Sequence, residues 1–233
     1  MRVKVKNYEF LLFDIDDTLL DFGAAEDNAL ETLFLTQKVT LDAKIKQNYL
    51  KFNRQLWRQY ERGDLERENL FNNRFEIFFK KQFNKVVDGR ALAKQYQDHL
   101  TDGHEKIKGA AELLASIDKT KYQLSIITNG IADMQYKRLA EAKLDQYFPQ
   151  VFVSETTGYQ KPAVEYFNYV FNRIDNFDPK KALIIGDSLT SDIQGGNNVN
   201  VDTVWYNPGN TKNKTSVKAT YEIDDLLAIN RII

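Results

Sequence analysis

Cysteine is absent from the sequence. That removes thiolate metal sites, thiol nucleophiles and any disulfide framework at once, and it suits a reducing compartment. Histidine is scarce: His99 and His104 are the only two, they form no ligand motif, and neither is assigned a role. With 4 proline and 11 glycine residues in 233, the chain is neither collagen-like nor linker-rich. Neither sign of charge prevails, since 32 Lys+Arg face 33 Asp+Glu. This balance disfavours a general nucleic-acid coat and a polybasic membrane binder, while leaving room for a local basic patch. Long apolar runs are missing too. Phe10-Leu11-Leu12-Phe13 is followed at once by acidic residues, so it reads neither as a signal peptide nor as a membrane span. The expected partner is a small molecule, with no nucleic acid and no membrane, in the cytoplasm.

What remains is a chain that is 42% hydrophobic and 28% charged. At this size about 72% of the unfolded surface can be buried, so no staple is needed. Residues 8–13 form a short apolar and aromatic run that predicts a buried strand. Similar runs occupy Gln123–Thr128, Val151–Val153, Ala182–Ile185 and Val201–Trp205, separated by helical patterns at Ala110–Ile117, Met134–Ala142 and Val164–Ile174. This alternation predicts an α/β fold, a Rossmann-like parallel sheet covered on both faces. The segment 23–105 breaks the rhythm. Leu41, Ile45, Tyr49, Phe52, Leu56 and Tyr60 share one helical stripe, and Phe71, Phe75, Phe78, Phe79 and Gln82 share another. Leu92 and Tyr96 suggest a further short helix. The expected organisation is a core of residues 1–22 and 106–233 interrupted by an all-helical domain at 23–105. Pro208–Lys218 is polar and reads as a loop.

Chemistry-bearing residues collect after the predicted strands, where open α/β sheets bind ligands. Asp14-Ile15-Asp16-Asp17-Thr18 follows the first strand. Carboxylates crowded there repel one another unless a cation lies among them, although a solvated acidic turn would look the same. Thr128-Asn129-Gly130 ends the second core strand. A hydroxyl and backbone N–H groups at such a junction suit a phosphate oxygen, and Asn-Gly is also an ordinary turn. Lys161-Pro162 sets a point charge just ahead of a helix start. Gly186-Asp187-Ser188-Leu189-Thr190-Ser191-Asp192 adds two carboxylates five apart in sequence. These can complete an oxygen-ligand site or cap the following helix.

In this order the four motifs resemble those of the haloacid dehalogenase superfamily, in its aspartate-nucleophile phosphatase branch. The large helical insert resembles that superfamily's helical cap. The resemblance implies a magnesium-dependent phosphomonoester hydrolase working through an aspartyl-phosphate. Asp14 would be the nucleophile and Asp16 the general acid and then base. Mg²⁺ would be held by the Asp14 carboxylate, the Asp16 main-chain carbonyl and Asp187. Thr128, Asn129, Gly130 and Lys161 would bind the transferring phosphoryl group. Asp192 would orient Lys161 or metal-bound water, and Thr18 would shape the first loop; Asp17 receives no role. The segment from Asn53 to Gly63, Asn-x-x-Leu-Trp-x-x-Tyr-x-x-Gly, is similar to one in the superfamily's bacterial pyrimidine 5'-nucleotidases. It nominates Asn53, Trp57, Arg58 and Tyr60 for substrate choice, with packing of the insert as the alternative. A monomer or a homodimer fits equally. The rival readings are a sugar-phosphate or phosphoglycolate phosphatase, a phosphomutase, and a non-catalytic metal- or phosphate-binding module. Dehalogenation is disfavoured by Asp16, and an Asp-x-Asp glycosyltransferase by the later Lys and Gly-Asp motifs.

Overall fold

The computed structural model describes residues 6–233. The chain separates into two compact units: one runs up to Phe22 and resumes from His104 to Ile233, and the other is Gly23–Gly103.

The first unit holds the expected parallel sheet. Its strands are β1 (Phe10–Phe13), β2 (Gln123–Thr128), β3 (Gln150–Val153), β4 (Ala182–Gly186), β5 (Asp202–Tyr206) and β6 (Tyr221–Ile223). They lie in the order β3-β2-β1-β4-β5-β6, all parallel. Side chains alternate across the sheet as strand geometry requires. Leu11 and Phe13 enter one core with Leu113, Leu139, Ile185 and Leu226. Phe10 and Leu12 enter the other with Tyr166, Phe167, Val170 and Ile184. Both faces are buried, which is why β1 and β4 read as unbroken apolar runs.

Strand β6 was not expected from the sequence. It has three residues, only Ile223 is buried, and no apolar run announces it. It forms because β5 offers it an edge, with Tyr206 beside Ile223. The polar stretch 208–218 before it carries no helix or strand, as expected of a loop.

The second unit is helical. Within α1 (Phe22–Thr36), Ala25, Ala29, Leu30, Leu33 and Phe34 are buried. Asp42 caps α2 (Ala43–Glu61), accepting from the Ile45 N–H at 2.7 Å. Leu41 therefore lies outside that helix. The second aromatic stripe is not one helix but two, α3 (Arg67–Asn72) and α4 (Arg74–Phe83), broken at Asn73. The Leu92–Tyr96 pattern belongs to the longer α5 (Gly89–Asp102). The stripes face each other and form this unit's own core. Tyr49 stacks on Phe75 at 5.5 Å between ring centroids, and Phe34 meets Phe79 at 5.0 Å. The remaining helices belong to the sheet unit: α6 (Ala110–Ser116), α7 (Ala132–Glu141), α8 (Ser154–Thr157), α9 (Val164–Phe171) and α10 (Gln194–Asn198).

Candidate active site

The strand order reverses at β1, which has β2 on one side and β4 on the other. A crevice opens at such a reversal, beyond the carboxyl ends of the strands. Asp14 directly follows β1, Thr128 ends β2, and Asp187 directly follows β4. Register carries the alignment, since Phe13 is level with Ile126 and with Ile185.

Lys161 ties the motifs together. Its ammonium donates to Asp14 Oδ1 at 2.6 Å, to Asp192 Oδ1 at 2.7 Å and to the Ile127 carbonyl at 2.9 Å. It is 2% exposed, so these three acceptors satisfy all three of its protons. Asn129 clamps the Lys161 backbone, accepting from its N–H at 2.8 Å and donating to its carbonyl at 2.9 Å. The side-chain amide of Asn129 therefore places Lys161, and the part expected of this residue in phosphate binding falls to its backbone N–H. Asp192 sits in a wide turn, Leu189–Ile193, and both of its oxygens are engaged, one by Lys161 and the other by the Ser188 N–H at 3.0 Å. Gly186 makes room for it, because a Cβ there would lie 2.2 Å from Asp192 Oδ2.

Thr128 Oγ1 accepts from the Gly130 N–H at 3.1 Å and from Gln135 Nε2 at 3.0 Å. With both acceptor positions filled, its remaining hydrogen-bonding capacity is as a donor, the polarity an anionic oxygen needs. The Gly130 N–H is directed at Thr128 Oγ1.

Asp16 is held from α7. Arg138 Nη1 donates to Asp16 Oδ1, and Gln135 Nε2 donates to Asp16 Oδ2 at 2.6 Å. Arg138 also donates to Gln135 Oε1 at 3.0 Å. Sequence reasoning missed both α7 residues. The available signal was two long polar side chains, three apart, on the face of a helix that begins just past the Thr128 motif. Asp17 adopts a left-handed conformation, φ 56°, and accepts from the Phe22 N–H at 3.0 Å where α1 begins. Thr18 is fully buried in the same loop, and its backbone N–H bonds to the Ile15 carbonyl at 3.3 Å.

Asp14, Asp187 and Asp192 bring carboxylate oxygens within 4.8 Å of one another. Against them stands Lys161, so the ionised cluster carries two negative charges. The Asp187 main-chain carbonyl accepts from Trp205 Nε1 at 2.8 Å. Its carboxylate has no hydrogen-bond or ion-pair partner among the described residues. Loss of water raises the Asp14 carboxyl to about 8 despite the Lys161 charge, with Asp192 and Asp16 adding to the rise. Asp187 is pushed well above the carboxylate range, again by loss of water and then by Asp192 and Asp14. All-oxygen donors, a free carboxylate and a charge deficit of two fit a hard divalent cation. Burial alone would hold the Lys161 ammonium down, but the Asp14 and Asp192 charges outweigh it and raise its pKa.

The cap-segment candidates lie in α2. Asn53 is 6% exposed. It donates to Glu26 Oε1 at 3.0 Å and accepts from Arg74 Nη1 at 3.3 Å. Both ends of its amide are engaged inside the helical unit, the arrangement that the packing alternative for this segment describes. Tyr60 is buried as well, while Trp57 is half-buried and meets Phe71 and Tyr60 edge-on, at 5.5 and 5.9 Å between centroids. Arg58 is exposed.

Residues 11–206 match the haloacid dehalogenase-like hydrolase family. The chain is 43% identical to the pyrimidine 5'-nucleotidase PynA of Streptococcus pneumoniae over 216 residues, 93% of this chain and 91% of that protein. It is 29% identical to the pyrimidine 5'-nucleotidase YjjG of Escherichia coli over 226 residues, 97% of this chain and 98% of that one. Among solved structures, the HAD-hydrolase YfnB of Bacillus subtilis bound to magnesium superposes with a TM-score of 0.91 at 44% identity, covering 97% of this chain and 99% of that one.

Proposed function

The chain belongs to the haloacid dehalogenase-like hydrolase family, and from that premise we propose that it is a magnesium-dependent phosphatase of pyrimidine nucleoside 5'-monophosphates. The observation that carries the phosphatase reading is Asp14 at the strand reversal, 2.6 Å from a buried lysine and beside two further carboxylates. The pyrimidine preference is supported by 43% identity across nearly the whole chain to a protein named for it.

Asp14 Oδ attacks phosphorus, and the ester P–O bond breaks as the Asp14–phosphoryl bond forms. Asp16 passes its proton to the departing nucleoside oxygen. It then takes one from water, whose oxygen displaces Asp14 from phosphorus and releases inorganic phosphate. Thr128 donates its hydroxyl to a phosphoryl oxygen, and Lys161 offsets charge on that group and on Asp14. Asn129 and Asp192 keep Lys161 in place. The Asp14 and Asp187 carboxylates, with the Asp16 main-chain carbonyl, would hold Mg²⁺. When bound, the ion would supply electrostatic stabilisation of charge on the phosphoryl oxygens. Asp192, with both oxygens already engaged, acts as an orienting group rather than as a ligand.

The test is kcat/KM with magnesium for UMP, dTMP, AMP, GMP and a set of sugar phosphates. Pyrimidine nucleotides are expected to lead. A preference for purine nucleotides or for a sugar phosphate would overturn the nucleotidase assignment and leave the phosphatase assignment standing.

A further inference from the structure

We infer that Gln135 and Arg138 are positioning residues that fix Asp16 relative to Thr128, so that the proton donor and the phosphoryl-oxygen donor are held as one unit. The inference rests on the reading of Asp16 as acid and base. It is carried by a single amide. Gln135 Nε2 donates to Asp16 Oδ2 at 2.6 Å and also to Thr128 Oγ1 at 3.0 Å. Its two protons are thereby divided between the two reacting ends of the site. The amide cannot turn over, because its oxygen is held by Arg138 Nη1 at 3.0 Å and would otherwise face the Asp16 carboxylate. The same Nη1 grips the other Asp16 oxygen.

Burial makes the arrangement stiff. Gln135 and Arg138 are both fully buried. A guanidinium removed from water needs a counter-charge, and breaking such a pair is costly. Asp16 supplies that charge in its ionised form, the state it holds between protonating the leaving oxygen and taking a proton from water, and the Phe22 ring lies 5.7 Å from the guanidinium carbon. Gly130 has its explanation here as well. A Cβ at that position would stand 2.5 Å from Gln135 Nε2 and 2.7 Å from its Cγ. The glycine of the Thr128 motif thus clears the path along which Gln135 reaches the site.

Both residues act through Asp16 and Thr128, the groups to which they are bonded. Their contribution belongs to the transition state, where Asp16 must meet the departing oxygen while Thr128 holds the phosphoryl group. Losing it should lower kcat and leave KM nearly unchanged. It should matter most when the leaving oxygen needs a proton.

The experiment uses the full-length enzyme with magnesium. Single-turnover phosphorylation is measured with the best alkyl phosphate of the wild type and with p-nitrophenyl phosphate, whose leaving group departs unprotonated. The variants are Gln135→Met, Arg138→Lys, Asp16→Asn and the pairs of each with Asp16→Asn. Gln135→Asn, which keeps the amide one methylene short, serves if Gln135→Met does not fold. Gln135→Met is expected to lose about 10- to 100-fold on the alkyl ester, much less on the nitrophenyl ester, and little more once Asp16 is already Asn. Equal losses on both esters, or losses that multiply fully with that of Asp16→Asn, would mean a merely structural role and overturn the inference. A wild type inactive on every phosphate ester would instead remove the phosphatase reading itself, and the inference with it.

Discussion

At Asp14 the burial that makes a carboxylate costly to ionise also makes it useful. In water the charge would be spread into solvent; here the Lys161 ammonium answers it at 2.6 Å. Asp14→Asn should cut turnover by at least about 10³-fold, since an amide is neither a nucleophile of this kind nor a good metal ligand. The same variant should not melt below the wild type in EDTA at pH 8. The site as a whole disfavours negative charge on residue 14, raising its carboxyl to about 8, and an amide carries none. Turnover and a thermal melt, read side by side, check both halves; a folded variant retaining most activity, with deamidation excluded, would end the assignment. Asp16→Asn should spare magnesium binding and weigh more heavily on alkyl phosphates than on p-nitrophenyl phosphate. Gly186→Ala should displace Asp192 from the place its carboxylate occupies and loosen Lys161, with a loss in kcat larger than any change in melting temperature.

Elements explain what the sequence could and could not disclose. Strands β1, β2 and β4 are legible because buried parallel strands are apolar on both faces, and each leads to a residue of the candidate site. Strand β6 is illegible because pairing to β5 makes it, and pairing leaves no local pattern. Gln135 and Arg138 escaped for a related reason. Their meaning depends on Asp16, more than a hundred positions away, and a helix with polar side chains on one face is unremarkable by itself. The α2 segment left two readings open, substrate choice and packing of the insert. Its likeness to a nucleotidase segment drew attention to Asn53, whose environment is a buried network of Glu26, Arg74 and Tyr96, the last donating to Glu26 at 2.8 Å. Asn53→Leu should therefore act on stability, costing about 1–3 kcal/mol by stranding two buried polar partners, and a denaturant melt will show it. For selectivity the helical unit's better candidates are the exposed Arg58 and the half-buried Trp57. Replacing each by Ala should change the ratio of kcat/KM for UMP over p-nitrophenyl phosphate. An unchanged ratio in folded variants would release this segment from substrate choice.

For the whole molecule, the acidic cluster predicts a linkage between proton, cation and fold. The folded, metal-free protein keeps Asp14 protonated up to about pH 8, whereas an unfolded chain releases that proton near the ordinary value of 3.8. Between those limits the native state holds more protons, so stability falls as pH rises. The contribution is complete below about pH 4 and is lost once pH passes the folded value; Asp187 acts in the same sense, its carboxyl also being raised. A divalent cation reverses the sign, because it binds the ionised carboxylates and must expel their protons to do so. Magnesium should therefore bind more tightly at pH 8 than at pH 6. At a hundredfold excess over its dissociation constant it should add ~2.7 kcal/mol to stability, a rise in melting temperature on the order of 5–10 °C at this chain length. Melts in magnesium and in EDTA at pH 6 and pH 8 make the comparison. The gap between the two curves should be wider at pH 8 and should shrink in Asp14→Asn. A gap that is independent of pH, or untouched by that substitution, would place the cation elsewhere and separate the acidic cluster from magnesium altogether.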